Sequence, residues 1–152
     1  MAKNENGHKE LNYPVAQEYM GRVRDAERKV EQLEYQKANL RMMLTDTSVH
    51  LSDMPRSDSP DLQRHQTIQA KIDTLEQEIA AARQERKKTR EETGMMLCRL
   101  SRPVTQRIMI LYYFHPNRSW KEVANELGYS KAQVLRYRDE GFAELEKLLQ
   151  TV

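Results

Sequence analysis

With 152 residues, 32% of them charged, and a mean hydropathy of −0.88, the chain is too polar for one large buried core and has room for one or two small domains. Five Gly and five Pro beside many Glu, Lys, Arg, Gln, Leu and Met predict an all-α protein. No apolar run approaches the ~20 residues of a membrane span, and Met1 to Glu10 is too polar for a signal peptide. The lone Cys98 allows no internal disulfide, so a reducing, cytoplasmic setting is expected. The net charge of +2 conceals an asymmetry: residues 99–152 hold nine Lys and Arg against six Asp and Glu, and residues 1–98 hold sixteen against seventeen. That sign bias suits contact with phosphate by the C-terminal third.

Residues 1–13 lack periodicity and read as a flexible tail. A helix is predicted from Pro14, a residue welcome in a first turn. Ala16, Tyr19, Val23, Ala26, Val30, Leu33, Leu40 and Leu44 recur at steps of three and four, interrupted at Lys37, which is the heptad seam of a coiled coil. The helix is expected to fray after Leu44, with a loop over 46–60. In that loop Asp53, Met54 and Pro55 form either a partner-binding tip or part of a plain connector. Ser59-Pro60-Asp61 supplies a cap, an N1 proline and a first-turn acid for a second helix. There Ile68, Ile72, Leu75, Ile79 and Ala82 repeat the seam. The two helices, each roughly 45 Å long at ~1.5 Å per residue, are expected to fold back as a long antiparallel helical hairpin over 14–98. A lone pair of helices is marginal. Either a second copy of the chain completes it as a homodimer, or the monomer closes its seam on the C-terminal domain. The run Arg83, Arg86, Lys87, Lys88 and Arg90 is either a phosphate contact or a solvated face neutralised by Glu85, Glu91 and Glu92. Thr93-Gly94 weakens the helix and marks a hinge, and Cys98, beside Leu97 and Leu100, is expected to be buried.

Residues 99–152 read as a second, small domain. Pro103 starts a helix whose core side carries Ile108, Leu111 and Tyr112, broadened by Met109 and Ile110. Trp120 can pack on Tyr112 or Phe114 as a lid on that core. Ser119 and Glu122 make a capping box, and Val123, Ala124 and Leu127 share one face. Gly128 then stands where the chain needs a positive φ. Ser130 caps a further helix with Val134, Tyr137, Gly141 or Phe142, and Leu145 on its apolar side. Helix, glycine turn and helix at this spacing form a helix-turn-helix; the same pattern also occurs in helical packing modules. In the first case residues 130–138 are the recognition helix for the major groove. Lys131, Ala132, Gln133 and Arg136 would then read base edges. Arg118, Ser119, Lys121, Ser130, Tyr137 and Arg138 would hold phosphates.

Leu127-Gly128-Tyr129-Ser130-Lys131-Ala132-Gln133-Val134 through Glu144-Leu145 resembles region 4, the promoter-reading end of sigma-70 factors. Gln106 to Phe114 resembles the helix that precedes it there. The chain as a whole resembles small phage-encoded, region-4-like proteins of Gram-positive bacteria, whose helical N-terminal half carries a Leu-Ser-Asp-Met-Pro-Arg loop, here Leu51 to Arg56. The resemblance implies a sequence-specific, DNA-binding transcription regulator of phage or prophage origin, with RNA polymerase as a partner and a bacterial host cytoplasm as its setting. Two departures matter. Region 4 usually carries charged residues where Ala132 and Leu135 stand, so no promoter preference carries over, and Ser57-Asp58 occupy positions where glycines are expected.

The chemistry of an enzyme is not in evidence. His8, His50, His65 and His115 are scattered without i,i+4 pairs or partner cysteines, so no metal is expected. No phosphate-cradling glycine loop or nucleophile motif occurs, and no cofactor is expected. Double-stranded DNA is the expected partner, with no membrane. Two other readings stay open: a DNA-packaging subunit similar to a small terminase, and a protein-binding adaptor or inhibitor whose helix-turn-helix does not touch DNA.

Overall fold

The computed structural model describes the backbone at residues 12–52 and 60–151 and the side chains at residues 12–45 and 62–151. Among the described residues there are five helices and no strand: α1 (Pro14–Ser52), α2 (Pro60–Leu97), α3 (Pro103–Tyr113), α4 (Trp120–Leu127) and α5 (Lys131–Gln150). Three of the five open on proline, whose missing N–H costs nothing in a first turn. None of the described helices is long and apolar enough to cross a membrane.

Both long helices run through positions where the sequence predicts a weakness. α1 continues past Leu44 to Ser52. No Gly or Pro interrupts it there, and Thr45 Oγ1 donates to the Arg41 carbonyl at 3.0 Å, which keeps the hydroxyl from competing with the helix. Residues 46–52 of the predicted loop therefore belong to α1, and its Asp53-Met54-Pro55 tip lies outside the described residues. α2 passes unbroken through Thr93-Gly94, so there is no hinge. The reason is tertiary: the seam of α2 continues as Ala82, Thr89, Thr93 and Leu97, all buried. Packing on that side outweighs the ~1 kcal/mol that one glycine costs a helix.

The described residues divide into two compact units, with the division at Glu27/Arg28 on α1 and at Lys87/Lys88 on α2. The described residues of the unit 28–87 are segments of α1 and α2. Val30, Ile68, Ile72, Ile79 and Ala82 are buried in it, and Leu33, Leu40 and Leu75 are only half-buried. Arg83 pairs with Glu34 (2.5 Å), and Lys37 and Arg41 both reach Glu76 (3.3 and 3.5 Å). Partners descend along α2 as residues ascend along α1, so the two segments run in opposite senses. Such exposed pairs contribute at most about 1 kcal/mol each. Their value is in register. Lys37, the break in the predicted seam, is half-buried and sends its ammonium out to Glu76.

The other unit unites the start of α1 and the end of α2 with α3, α4 and α5. Ala16 and Met20 of α1, Leu97 and Leu100 at the end of α2, Met109 of α3, and Phe142 and Leu145 of α5 form one buried cluster. Tyr13, Leu148 and Leu149 pack against it. The domain boundary predicted between 98 and 99 is thus not where the chain divides. Tyr13 belongs to this packing and not to a tail. The seam is also turned by one residue from its predicted face, with Met20 and Glu27 buried and Tyr19 and Ala26 half-buried. Buried Glu27 is matched by Arg90, which ties that member of the basic run to a carboxylate while its side chain stays partly exposed. Cys98 is exposed, because Leu97 and Leu100 take the inward positions and leave it pointing out. Ile110, predicted to broaden the core, is 37% exposed.

Two contacts hold α5 in this cluster. The Glu146 carboxylate, 9% exposed, accepts the Ala16 amide at 2.7 Å and the Val15 amide at 3.4 Å. It thereby caps amides at the start of α1 that have no intrahelical partner and places a carboxylate at the positive end of the dipole. Gly141 lets α5 approach α3: a Cβ there would lie 2.3 Å from Thr105 Cγ2 and 3.1 Å from Met109 Cε. Gly141→Ala should therefore destabilise by ~1–3 kcal/mol through overpacking, against a helix-propensity gain of ~1 kcal/mol. Gly94→Ala, which meets nothing within 4 Å, should stabilise by up to ~1 kcal/mol. Urea unfolding followed by far-UV circular dichroism separates the two. Equal gains from both would mean that the α3–α5 approach does not limit the packing.

Candidate nucleic-acid interface

The segment from α4 to α5 is built from local rules. Ser119 Oγ accepts the Glu122 amide and Ser130 Oγ accepts the Gln133 amide, each at 3.2 Å, so each helix starts on a side-chain cap. Gly128 has φ +74°, and the amides of Gly128 and Tyr129 both return to the Ala124 carbonyl. This satisfies the end of α4 in a turn where a side chain would be strained. Ile108, Val123, Ala124 and Val134 are buried together beneath it, flanked by Leu111, Leu127 and Tyr137.

An aromatic and cationic stack ties α4 to the rest of its unit. The Tyr112 and Trp120 rings lie parallel, 3.7 Å between centroids and 7° between planes. The Arg24 guanidinium sits 3.9 Å over Tyr112, and that of Arg138 sits 5.1 Å over Trp120. Since the rings cover each other's inner faces, the order is Arg24, Tyr112, Trp120, Arg138. Arg24 Nη2 also donates to the carbonyls of Pro116 and Arg118, at 2.9 Å each, and so fastens the α3–α4 turn to α1. Desolvated cation–ring contacts of this kind contribute up to ~2 kcal/mol each.

This stack redistributes the predicted phosphate ligands. Arg138 is 12% exposed and pairs with Asp139 at 3.0 Å, so it is a structural cation and not an open one. Arg118 is paired with Glu126, while its carbonyl serves Arg24. Ser119 and Ser130 are exposed, with their oxygens accepting in the caps. Tyr137 is half-buried, its ring 5.8 Å from Tyr129 and its hydroxyl accepting from Gln133 Nε2 at 3.3 Å. Lys121 is exposed on α4.

Of the predicted base-reading set, Lys131, Ala132 and Arg136 are exposed on the first turns of α5, and Gln133 is half-buried with its amide turned to Tyr137. No acidic side chain precedes Asp139 on α5. The open end of the helix therefore presents two cations and a methyl group. Arg102 escaped the sequence reading. It pairs with Glu140 at 3.2 Å and lies 6.0 Å over the Tyr137 ring, beside the open end of α5. Tyr129 escaped it too; it is 36% exposed in the turn. A tyrosine directly after the turn glycine is the one local signal that pointed there. Among the described residues no group of three His, Cys, Asp or Glu could hold a metal ion. Comparison with known proteins finds no family model, no curated protein and no solved structure that matches this chain.

The stack also sets a titration. Tyr113 packs edge-on to Tyr112 (4.8 Å), Trp120 (6.0 Å) and Phe142 (6.1 Å). Burial, and then Tyr112, push its phenol above the usual range, while Arg138 and Arg24 pull it back by less. Above about pH 10 the unfolded chain releases this proton while the folded chain keeps it, so stability falls as pH rises. Urea midpoints should drop more steeply above about pH 10 for the wild type than for Tyr113→Phe. Parallel pH profiles would remove Tyr113 as the cause.

Proposed function

We propose that this chain is a sequence-specific, DNA-binding transcription regulator whose α4–turn–α5 segment is a helix-turn-helix, with residues 130–138 entering the major groove. The observation that carries this reading is the open N-terminal end of α5, with Lys131, Ala132 and Arg136 exposed behind the Ser130 cap and the left-handed Gly128. A positive helix end led by donors is complementary to the acceptors of phosphate and of purine edges. Arg136 is suited to guanine O6 and N7, and Gln133 to adenine once its amide leaves Tyr137. Ala132 leaves room for a thymine methyl. Lys121, Lys131, the cap hydroxyls and Tyr137 are the phosphate set, to which Arg102 is added. The likeness of residues 127–145 to sigma region 4 supports RNA polymerase as a second partner. In this reading the α1–α2 pair is a coiled-coil hairpin, and the setting is a phage or prophage.

One observation favours a second reading. Arg118 and Arg138 are engaged within the fold, which thins the phosphate-binding set and suits an adaptor that meets protein in place of DNA. Selection from a random duplex pool, followed by fluorescence anisotropy across a salt series, separates the two. The regulator reading expects Gln133→Ala and Arg136→Ala each to cost ~1–3 kcal/mol on the selected site only. Lys121→Ala should weaken all duplexes alike and lower the salt slope by about 1. Retention that does not respond to salt, or an unaltered footprint for both base-reading variants, favours the adaptor.

A further inference from the structure

The unit of residues 28–87 has one side that its own two helices do not cover. Two open cavities, of about 620 and 610 Å³, lie between α1 and α2 there. They belong to one groove. Lys29 and Leu33 line one cavity and Gln36 and Leu40 the other, at steps of four, three and four. Across from them Ala70, Thr74, Glu78 and Ala81 follow at similar steps on α2. Such spacing keeps each set on a single helix face. The floor is apolar, with Leu33, Leu40 and Leu75 half-buried, and Met43, 40% exposed, continues the same face of α1. The α2 wall is low, because alanine and threonine let another backbone come close.

Charge decides what fits. At one end of the groove Glu78 and Glu85 outnumber Lys29; at the other Lys71 is the only charged lining residue. A partner of one sign would match one end and oppose the other. A second copy of the same groove, turned end for end, sets Lys71 on the acidic end twice over, whereas a parallel copy sets like on like. A two-helix unit also gains the third and fourth helices that bundles normally use to bury such a face.

We infer that this groove is the surface on which a second copy of the chain docks, antiparallel about a two-fold axis, to form a four-helix bundle. No part of this inference requires contact with DNA. Sedimentation equilibrium on the full chain tests it. The wild type should be a dimer at micromolar concentration. Lys71→Glu and Glu78→Lys should each raise the dimer dissociation constant at least tenfold. An equimolar mixture of the two variants should regain dimers of near wild-type affinity, as should the chain carrying both changes. Because both positions are exposed, these swaps leave the core intact, and recovery on mixing itself demonstrates folded partners. The inference is overturned by a wild type that stays monomeric up to about 100 μM, by assemblies larger than two, by single variants that dimerise as the wild type does, or by mixed variants that stay apart.

Discussion

One face of α5 carries Gly141, Phe142, Leu145 and Glu146, and the unit around it is arranged to satisfy that face. The missing side chain at Gly141 admits Thr105 of α3, while Phe142 and Leu145 enter the cluster to which the start of α1 and the end of α2 contribute. Glu146 then ends at the first amides of α1. A buried carboxylate is tolerable only where donors meet it, and a helix start offers donors that lack intrahelical partners. The chain's first helix and its last therefore complete each other. With its C-terminal half committed in this way, α5 leaves the end that carries Lys131, Ala132 and Arg136 directed away from the cluster.

The arginines show how far tertiary context can reassign a charge. A basic excess in the C-terminal third looks like an electrostatic footprint, yet Arg138 covers Trp120 and Arg118 pairs with Glu126. Arg24, from the opposite end of the sequence, closes the same stack and ties down two carbonyls of the α3–α4 turn. Rings that would otherwise expose their faces gain cationic caps, and the cations shed water without losing a partner. Around the start of α5, what remains open for a polyanion is a small set, Lys121, Lys131, Arg136 and the half-committed Arg102, while Arg99, Arg107 and Lys147 are exposed elsewhere on the unit. In the proposed DNA-binding reading, few contacts mean modest affinity for a single copy. Two tethered copies on adjacent half-sites would raise the effective concentration of the second contact without adding a new one.

The starts of the helices and the stop of α4 were legible in the chain because their causes are local. Pro60 and Pro103 open their helices, Ser119 and Ser130 cap theirs, and Gly128 adopts the left-handed turn, each as nearest neighbours dictate. The outward set Lys131, Ala132 and Arg136 was legible for the same reason, since once Val134 faces inward the helical period places the others. Where local rules erred, at Thr93-Gly94 and after Leu44, weak formers lie within long helices whose continuity does not depend on propensity.

By itself the sequence determined an all-helical chain, the positions of its caps and turn, and the heptad spacing of its long helices. Only the tertiary structure decided which partners complete them. Glu146 meets an amide 130 positions away and Arg24 reaches carbonyls more than 90 positions away. It also decided that the units divide within α1 and α2 and not after Cys98. Periodicity states which side of a helix seeks cover, and it is silent about which distant side chain, at what distance and with what charge, will provide it.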